Sequence, residues 1–479
     1  MPDAPQRLSG THRPARIGLT VPRRIHIVGV GGAGMSAIAL ILSATGHTLS
    51  GSDVVETSAF PALRAAGIDV AVVAPDCLFS AAAVHRPELV AHSTAFPPSA
   101  ADRAAVAELG AQLLSRAEIL AGICATRRTI AVSGTHGKTT TSSMLARVLV
   151  EAGLRPSYLV GAEVHGLGGG AVWDEGEWFV VEADESDGTF VELDAEIAVV
   201  TNVEADHLDH YGSMERIEEA FGRFLANAPG PNLACVDEPN SARLAASHGA
   251  QTYGTAADAD YRIEDPRLDR SGVRFTLSGP GGSSTKVDLP VPGLYNARNA
   301  AAAIAAALMI GVPADVASSA LDDYAGVARR FQIRGTAFGA TLVDDYAHNP
   351  GKVAAVLSAG RAGRWGRVVA VFQPHRYSRT AALARGFADS FVDADVVVLT
   401  DVYGAGEPSR PGISGKLLVD AILDAHPRQR VVWLPRRTDL APFLVGELRP
   451  GDLCLTLGAG DITGLCGELL ALDDASGPR

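Results

Sequence analysis

Lys138 and Thr139 carry the clearest chemical potential in this chain of 479 residues. They follow the turn Gly134-Thr135-His136-Gly137, which ends an apolar run from Thr129 to Val132. They open a helix that the pattern predicts to be amphipathic over Thr140 to Glu151. Strand, glycine turn and helix in that order form a phosphate-binding loop. Backbone N–H groups and the helix N-terminus attract anionic oxygens, the lysine reaches the outer phosphates, and the threonine hydroxyl can ligate Mg²⁺. The longer form G-x-x-x-x-G-K-[ST] lacks its first glycine, because Val132 holds that place. The shorter G-T-x-G-K-T, starting at Gly134, is complete. An ordinary glycine turn is the bland alternative, and the strand–turn–helix context weighs against it. Gly134 to Thr140 therefore point to ATP as a cofactor.

Other chemistry-bearing residues sit where strand-like runs end. Trp178 to Val181 leads into Glu182-Ala183-Asp184-Glu185-Ser186. Ile197 to Thr201 leads into Asn202 and then Glu204-Ala205-Asp206-His207-Leu208-Asp209-His210. His207 and His210 beside Asp206 and Asp209 raise zinc as a question, but no thiol lies nearby and histidines three apart in a turn are common. Further along, Thr341 to Asp345 ends in Tyr346-Ala347-His348-Asn349-Pro350, and Arg367 to Phe372 ends in Gln373-Pro374-His375-Arg376-Tyr377-Ser378-Arg379. Paired arginines suit a carboxylate, and a neutral imidazole suits proton transfer near pH 7. A solvated helix face is the plain alternative for Arg376 and Arg379.

Positioning these groups calls for parallel sheets, whose carboxyl edges gather ligand-binding residues. An early unit shows the same logic: Gly29, Gly31 and Gly34 form G-x-G-x-x-G after the strand Ile25 to Val28, and Asp53 ends the next strand, an arrangement that admits a pyrophosphate and a ribose. Strands at Val70 to Val73 and Leu89 to His92 continue that unit. A Gly-rich, β-like interval from Asp258 to Pro292 predicts a small appended sheet before a helix over Asn296 to Ile310. Strands at Val396 to Thr400 and Leu453 to Leu457 complete a third α/β unit.

Composition sets the class. Hydrophobic residues at 47% and charged residues at 20% describe a soluble globular protein, and the net charge of −13 argues against coating nucleic acid. Five scattered cysteines without a C-x-x-C pair suit reduced thiols and a cytoplasmic location. The first residues have no apolar core, so they are expected to be a loose tail rather than a signal peptide. No apolar stretch is long enough to span a bilayer.

Taken together, Gly29 to Ser36, Gly134 to Thr141, and Glu182 to Ser186 followed by Asn202 to Asp209 resemble the Mur ligases of peptidoglycan synthesis. The glycine fingerprint, Glu182 to Ser186, and Phe372 to Thr380 resemble the members that add L-alanine. The resemblance covers about residues 24 to 465. It implies an α/β chain of three domains after a flexible tail at 1–23: an N-terminal Rossmann-like domain at 24–125 for the UDP-sugar, a central P-loop ATPase-like domain at 126–333 with the small appended sheet, and a C-terminal Rossmann-like domain at 334–479 for the amino acid.

The implied activity is ATP-dependent joining of L-alanine to the lactyl carboxylate of UDP-N-acetylmuramate through an acyl phosphate, by a monomer or weak homodimer that needs neither nucleic acid nor membrane. The resemblance gives Lys138 and Mg²⁺ the work of offsetting phosphate charge, with Thr139 and Glu182 at a first Mg²⁺ and His207 near a second. It places Arg376 and Arg379 on the amino-acid carboxylate, and Tyr346 and His348 beside the incoming amine, with His348 taking its proton. Asn299 would read adenine, Asp345 the ribose, and Arg330 phosphate. Gly31, Gly32, Ala33, Gly34, Ser36 and Asp53 would hold the UDP part, joined by Ser93 and Thr94. Two positions depart from the family pattern. His348-Asn349-Pro350-Gly351-Lys352 replaces the usual two histidines followed by Pro-Thr-Glu, and Tyr295 stands where a histidine is frequent.

Three rivals remain at this point: an NAD-dependent oxidoreductase, a related ligase attaching another amino acid or a recycled peptide, and a nucleotide-binding regulator with a dead site. The first leaves the phosphate loop and both acid clusters without a purpose. Lys138, Glu182, His207 and Arg376 argue against the third.

Overall fold

Three sheets organise the chain in a computed structural model that describes residues 17–162, 164 and 166–476. The first comprises β1 (Arg24–Val28), β2 (Thr48–Asp53), β3 (Asp69–Val72), β4 (Leu89–His92) and β5 (Gln112–Ser115), all parallel, in the order β3-β2-β1-β4-β5. The order reverses beside β1, which opens a crevice between the ends of β1 and β4. Gly29, Asp53 and Ser93 all lie at that edge.

The second sheet holds β6 (Arg128–Ser133), β7 (Ser157–Leu159), β8 (Ala171–Val172), β9 (Trp178–Glu182), β10 (Ile197–Val200), β11 (Leu233–Cys235), β12 (Gln251–Gly254), β13 (Tyr261–Asp269), β14 (Gly272–Ser278) and β15 (Ser284–Leu289). Its order is β15-β14-β13-β12-β11-β10-β6-β9-β7-β8. β6 lies between β10 and β9, with Val132 opposite Glu182 and Ser133 opposite Val200. The phosphate loop, the first acid cluster and Asn202 therefore leave one edge side by side. The Gly-rich interval does form strands, but β13 pairs with β12, so the appended strands extend the central sheet rather than standing apart.

The third sheet comprises β16 (Gln332–Ala337), β17 (Ala340–Asp345), β18 (Val368–Phe372), β19 (Val396–Leu399), β20 (Val431–Trp433) and β21 (Leu453–Leu457), in the order β16-β17-β21-β18-β19-β20. Asp345 and Phe372 both pair with Leu457, and Phe372 also pairs with Leu399. This register brings the segments after β17, β18, β19 and β21 to one edge.

The inner strands are buried on both faces, which is why they read as continuous Val, Ile and Leu runs rather than alternating ones. The helix after the phosphate loop runs Lys138–Glu151, starting two residues earlier than its pattern suggested, and it is not amphipathic. It is buried nearly all round because it packs between the sheet and the helix Leu294–Met309. Small hydroxyl residues allow that approach, and Ser143 finds a partner inside, its Oγ lying 2.8 Å from the Tyr324 hydroxyl.

The first two units share one apolar cluster, in which Met35 and Ile38 join Phe179 and Val181. The third unit has its own cores and meets the central unit through both polar and apolar contacts: Asn349 bonds Asp206, and Tyr295 packs against the third unit's core. The expectation of a loose tail needs correction at its end. Residues 1–16 lie outside the described residues, but Leu19 is buried against the helix Arg116–Cys124 and the Arg23 N–H donates to His47 Nδ1 at 3.0 Å. The five cysteines are free, and only Cys77 is exposed. Among the described residues no helix is long and apolar enough to cross a membrane.

Candidate active site

Gly134 leaves β6 at φ +142°, and a Cβ there would overlap Thr201 Oγ1 while meeting Asn202 backbone atoms at 3.0 Å. Only glycine admits so close an approach. Asn202 then fastens the outer half of the loop. Its carbonyl accepts from the Thr135 N–H at 3.1 Å and its Oδ1 from the His136 N–H at 2.8 Å, while its Nδ2 donates to the His136 carbonyl at 3.0 Å. Thr135 and His136, expected to bind the cofactor, thus have their amides committed to the protein. The His136 imidazole is also committed, with Nε2 at 2.9 Å from Glu204 Oε2. The amides of Lys138, Thr139 and Thr140 find no acceptor among the described residues. They are the unsatisfied donors at a helix N-terminus, and they define where phosphate oxygens fit.

Lys138 Nζ donates to the Gly134 carbonyl at 2.7 Å and sits 2.6 Å from Glu185 Oε2. Burial works against its charge, but Glu185, Asp184 and Glu182 outweigh burial and hold its pKa above the ordinary lysine value. The ammonium therefore stays charged and is parked on a carboxylate. Thr139 Oγ1 donates to Glu182 Oε1 at 3.0 Å, so the expected pair of metal ligands does come together. His207 adopts a left-handed backbone with its Nε2 3.7 Å from Glu185 Oε1 and 3.9 Å from Asp206 Oδ2. Among the described residues no three or more His, Cys, Asp or Glu side chains gather closely enough to cage a metal without other ligands.

Asn299 is buried and directed at the loop. Its Oδ1 accepts from Thr141 Oγ1 at 3.3 Å and fills the space a Cβ on Gly137 would need. It braces the phosphate loop in this arrangement, whereas the half-buried Tyr295 nearby has a buried hydroxyl with no partner among the described residues.

Across the seam, Asp345 accepts from the Phe331 N–H at 2.7 Å and the Ala347 N–H at 2.8 Å. Those bonds fix the turn after β17 and occupy both oxygens expected to meet a ribose. Arg330 and Arg329 lie over the Tyr346 ring at 5.2 Å and 4.7 Å from its centroid. His348 Nδ1 is 2.8 Å from the Tyr346 carbonyl, which can only accept, so the proton sits on Nδ1 and Nε2 keeps its lone pair. Burial, Lys352 and Arg379 together lower the His348 pKa well below 6.5. Arg379 donates to His375 Nδ1 at 3.2 Å and its charge acts on both His348 and Asp206. Arg376, expected to share its task, is exposed at the head of the helix Tyr377–Leu383, beside Glu407 and His375.

The two halves are joined by Asn349, the N-cap of the helix Pro350–Ala362, whose Nδ2 donates to Asp206 Oδ2 at 2.9 Å.

In the first unit, Asp53 Oδ2 accepts the Gly31 N–H at 2.8 Å and Gly32 N–H donates to the Gly29 carbonyl at 3.2 Å. Asp53 thus closes the glycine turn. Ser36 Oγ donates to the Ala33 carbonyl at 3.1 Å, and Ser93 Oγ accepts from the Ala95 N–H at 3.2 Å beside an exposed Thr94. Gly34 faces Arg116, and Arg116 reaches Asp184 Oδ2 at 3.5 Å. Arg116, Glu185 and Lys352 were missed as site residues by motif reading. Glu185 stood inside a recognised acid cluster, but Arg116 and Lys352 open helices far along the chain and carry no local signal.

A phosphate loop, an acid cluster and a basic, histidine-bearing edge on a second sheet are the parts of an enzyme that moves a phosphoryl group between a nucleotide and another substrate. Three family models match in succession: Mur ligase family, catalytic domain at 24–128; Mur ligase middle domain at 132–307; and Mur ligase, glutamate ligase domain at 329–460. The chain belongs to the Mur ligase family. It is 41% identical over 446 residues to the UDP-N-acetylmuramate–L-alanine ligase of Pelotomaculum thermopropionicum, covering 92% of this chain and 95% of that one. It is 42% identical over 445 residues to the ligase of the same name from Acidothermus cellulolyticus, covering 91% and 92%. The crystal structure of the UDP-N-acetylmuramate-alanine ligase of Thermotoga maritima is similar at a TM-score of 0.77 and 27% identity, over 95% of this chain and 100% of that one. A murein peptide ligase from Psychrobacter arcticus matches at 0.66 and 25%, over 94% and 98%.

Proposed function

We propose that this chain joins L-alanine to the lactyl carboxylate of UDP-N-acetylmuramate at the expense of ATP, releasing ADP and phosphate. The seam between Lys138 with its acid cluster and His348 with Arg379 carries the chemistry, and near-full-length likeness to ligases of that name supports the substrates. The glycine turn at Gly31 to Gly34, with Arg116 beside it, lies at the first sheet's crevice and holds the UDP pyrophosphate. The acceptor carboxylate then reaches the central unit, where its oxygen attacks the γ-phosphorus and ADP departs. Lys138 leaves Glu185 to meet the phosphates, and the amides of Lys138 to Thr140 bind their oxygens. The resulting acyl phosphate faces the third sheet. Arg379 holds the alanine carboxylate, Tyr346 lines the approach, and His348 Nε2 takes a proton from the amine.

Mg²⁺ fits the same reading. Thr139 Oγ1 and Glu182 Oε1 offer two hard oxygens 3.0 Å apart, and Mg²⁺ commonly takes few protein ligands beside phosphate and water. His207 would lie near a second ion. Bound there, the metal would offset the charge of phosphate and carboxylate.

Arg379→Ala is expected to raise the alanine KM about 10- to 100-fold while changing kcat little, as loss of charge-assisted hydrogen bonds predicts. A normal alanine KM with weakened ATP binding would move Arg379 elsewhere. The depressed His348 pKa sets the pH dependence. A base with lowered pKa is active above it and lost only as pH falls through it, so the acid limb of kcat/KM for alanine should lie well below pH 6.5. An acid limb at or above that value, or one unchanged in His348→Gln, would remove His348 as the base. Mass spectrometry of the sugar-nucleotide product tests the reaction: it should gain one alanine less one water, and an unmodified nucleotide with ADP released would contradict it.

A further inference from the structure

We propose that Lys352 is a second catalytic cation of phosphoryl transfer, brought to the γ-phosphoryl oxygens by the C-terminal unit to act together with Lys138. The proposal rests on the ligase reading above and adds a residue to it.

Lys352 stands in the first turn of the helix Pro350–Ala362, where its N–H donates to Asn349 Oδ1 at 3.2 Å. That turn is pressed onto the central unit at two points. Asn349 binds Asp206, and Gly351 lies so close that a Cβ would stand 2.8 Å from Glu204 Oε2 and 3.4 Å from His136 Nε2. Glu204 and His136 in turn are tied to the phosphate loop. The helix therefore delivers its first side chains to the edge where nucleotide phosphates bind.

On balance the resting protein disfavours a cation there. A lysine in the first turn of a helix opposes the helix dipole. Lys352 is half-buried and feels the like charges of Lys138 and Arg330. Asp206 and Glu185 offset part of this, yet among the described residues no carboxylate comes within 4.0 Å of its ammonium, whereas Lys138 has Glu185 at 2.6 Å. Burial first, and then Lys138, push its pKa down to about 8. A charge placed against dipole, burial and neighbour is the pattern of a group whose partner is a ligand. Lys138 and Arg330 lie near enough for their charges to act on Lys352, and such a group of cations calls for an anion richer than a carboxylate, which the transferring phosphoryl group supplies.

In the step itself, an acceptor carboxylate oxygen contributes the electron pair of the new P–O bond. The bond from the γ-phosphorus to the β-phosphate oxygen breaks with its pair leaving on ADP. Lys352 keeps its protons throughout and stabilises the equatorial oxygens as an ammonium.

The test uses nucleotide alone, so that it does not depend on which acceptor or amino acid is right. Affinities of the full chain for ADP and for the non-hydrolysable analogue AMP-PNP are measured by calorimetry with magnesium chloride present. Lys352→Gln and Lys352→Met should weaken AMP-PNP at least about tenfold and leave ADP within about twofold, and Lys352→Arg should recover most of the difference. Unchanged ADP binding reports that the loop is intact. Equal weakening of both nucleotides in Gln and Met, or no change in either, overturns the role of Lys352. A parent chain that binds neither nucleotide overturns the ligase reading as well.

Discussion

Lys138→Ala is expected to lower turnover by at least about 10³-fold, on the order of 4 kcal/mol of transition-state stabilisation, while UDP-N-acetylmuramate affinity stays within about threefold. The ammonium lies between the Gly134 carbonyl and Glu185, in the middle of three carboxylates. Removing it leaves Glu182, Asp184 and Glu185 facing incoming phosphates without their counter-charge, so repulsion adds to the lost attraction. In the proposed assignment the sugar nucleotide is held by a different sheet, which is why its binding should survive. Calorimetry for the nucleotide sugar and a coupled ADP assay for turnover separate the two. Equal loss of both would show that the division of labour between the first and central units is wrong.

Gly134→Ala should cost ATP affinity about 100-fold. At φ +142° an alanine is strained whatever the space, and its Cβ would strike Thr201 Oγ1 and the Asn202 backbone. Those atoms cannot yield cheaply. Asn202 clamps Thr135 and His136 through three hydrogen bonds, so moving it would unfasten the loop. The first sheet is untouched by this, and UDP-sugar binding should persist. An alanine variant with parental ATP affinity would mean that the loop tolerates an opening the packing forbids.

Motif-bearing segments were the most readable parts of the chain. Strand, turn and phosphate loop are contiguous, so local chemistry alone located Gly134 to Thr139. The ends of β9, β10, β17 and β18 were found because buried parallel strands announce themselves as apolar runs. What could not be read depends on packing between distant segments. Asn202 taking over the amides of Thr135 and His136, Asp345 spending its oxygens on Phe331 and Ala347, and Asn299 bracing Gly137 all arise from contacts across elements. The Lys138–Glu151 helix reads as amphipathic because its threonines and serines look solvent-facing, yet they allow close helix packing, and Thr141 and Ser143 find partners inside. Arg376 is the N-cap and Arg379 the third residue of the helix Tyr377–Leu383, and only the backbone decides that Arg379 faces the seam while Arg376 faces water. Asn349 looked like a simple departure from family pattern; in three dimensions it caps a helix and ties the third unit to Asp206.

That polar seam also bears on movement. The first and central units share an apolar core, while the central and third units meet through the polar contacts of Asn349 with Asp206 and of Gly351 with the Glu204–His136 pair, with Tyr295 as an apolar contact beside them. Polar interfaces between units permit relative motion more readily than apolar ones. Opening there would admit alanine and ATP, and closing would shield the acyl phosphate from water.

The most direct test of the assigned reaction is ADP release with UDP-N-acetylmuramate across L-alanine, glycine, L-serine and a tripeptide. The account predicts stoichiometric ADP and phosphate only when both the sugar nucleotide and an amino acid are present, with kcat/KM for L-alanine about tenfold or more above glycine and L-serine, the scale set by a methyl or hydroxyl in a fitted pocket. Sustained ADP release without an amino acid, or a tripeptide, glycine or serine outperforming L-alanine, would contradict it.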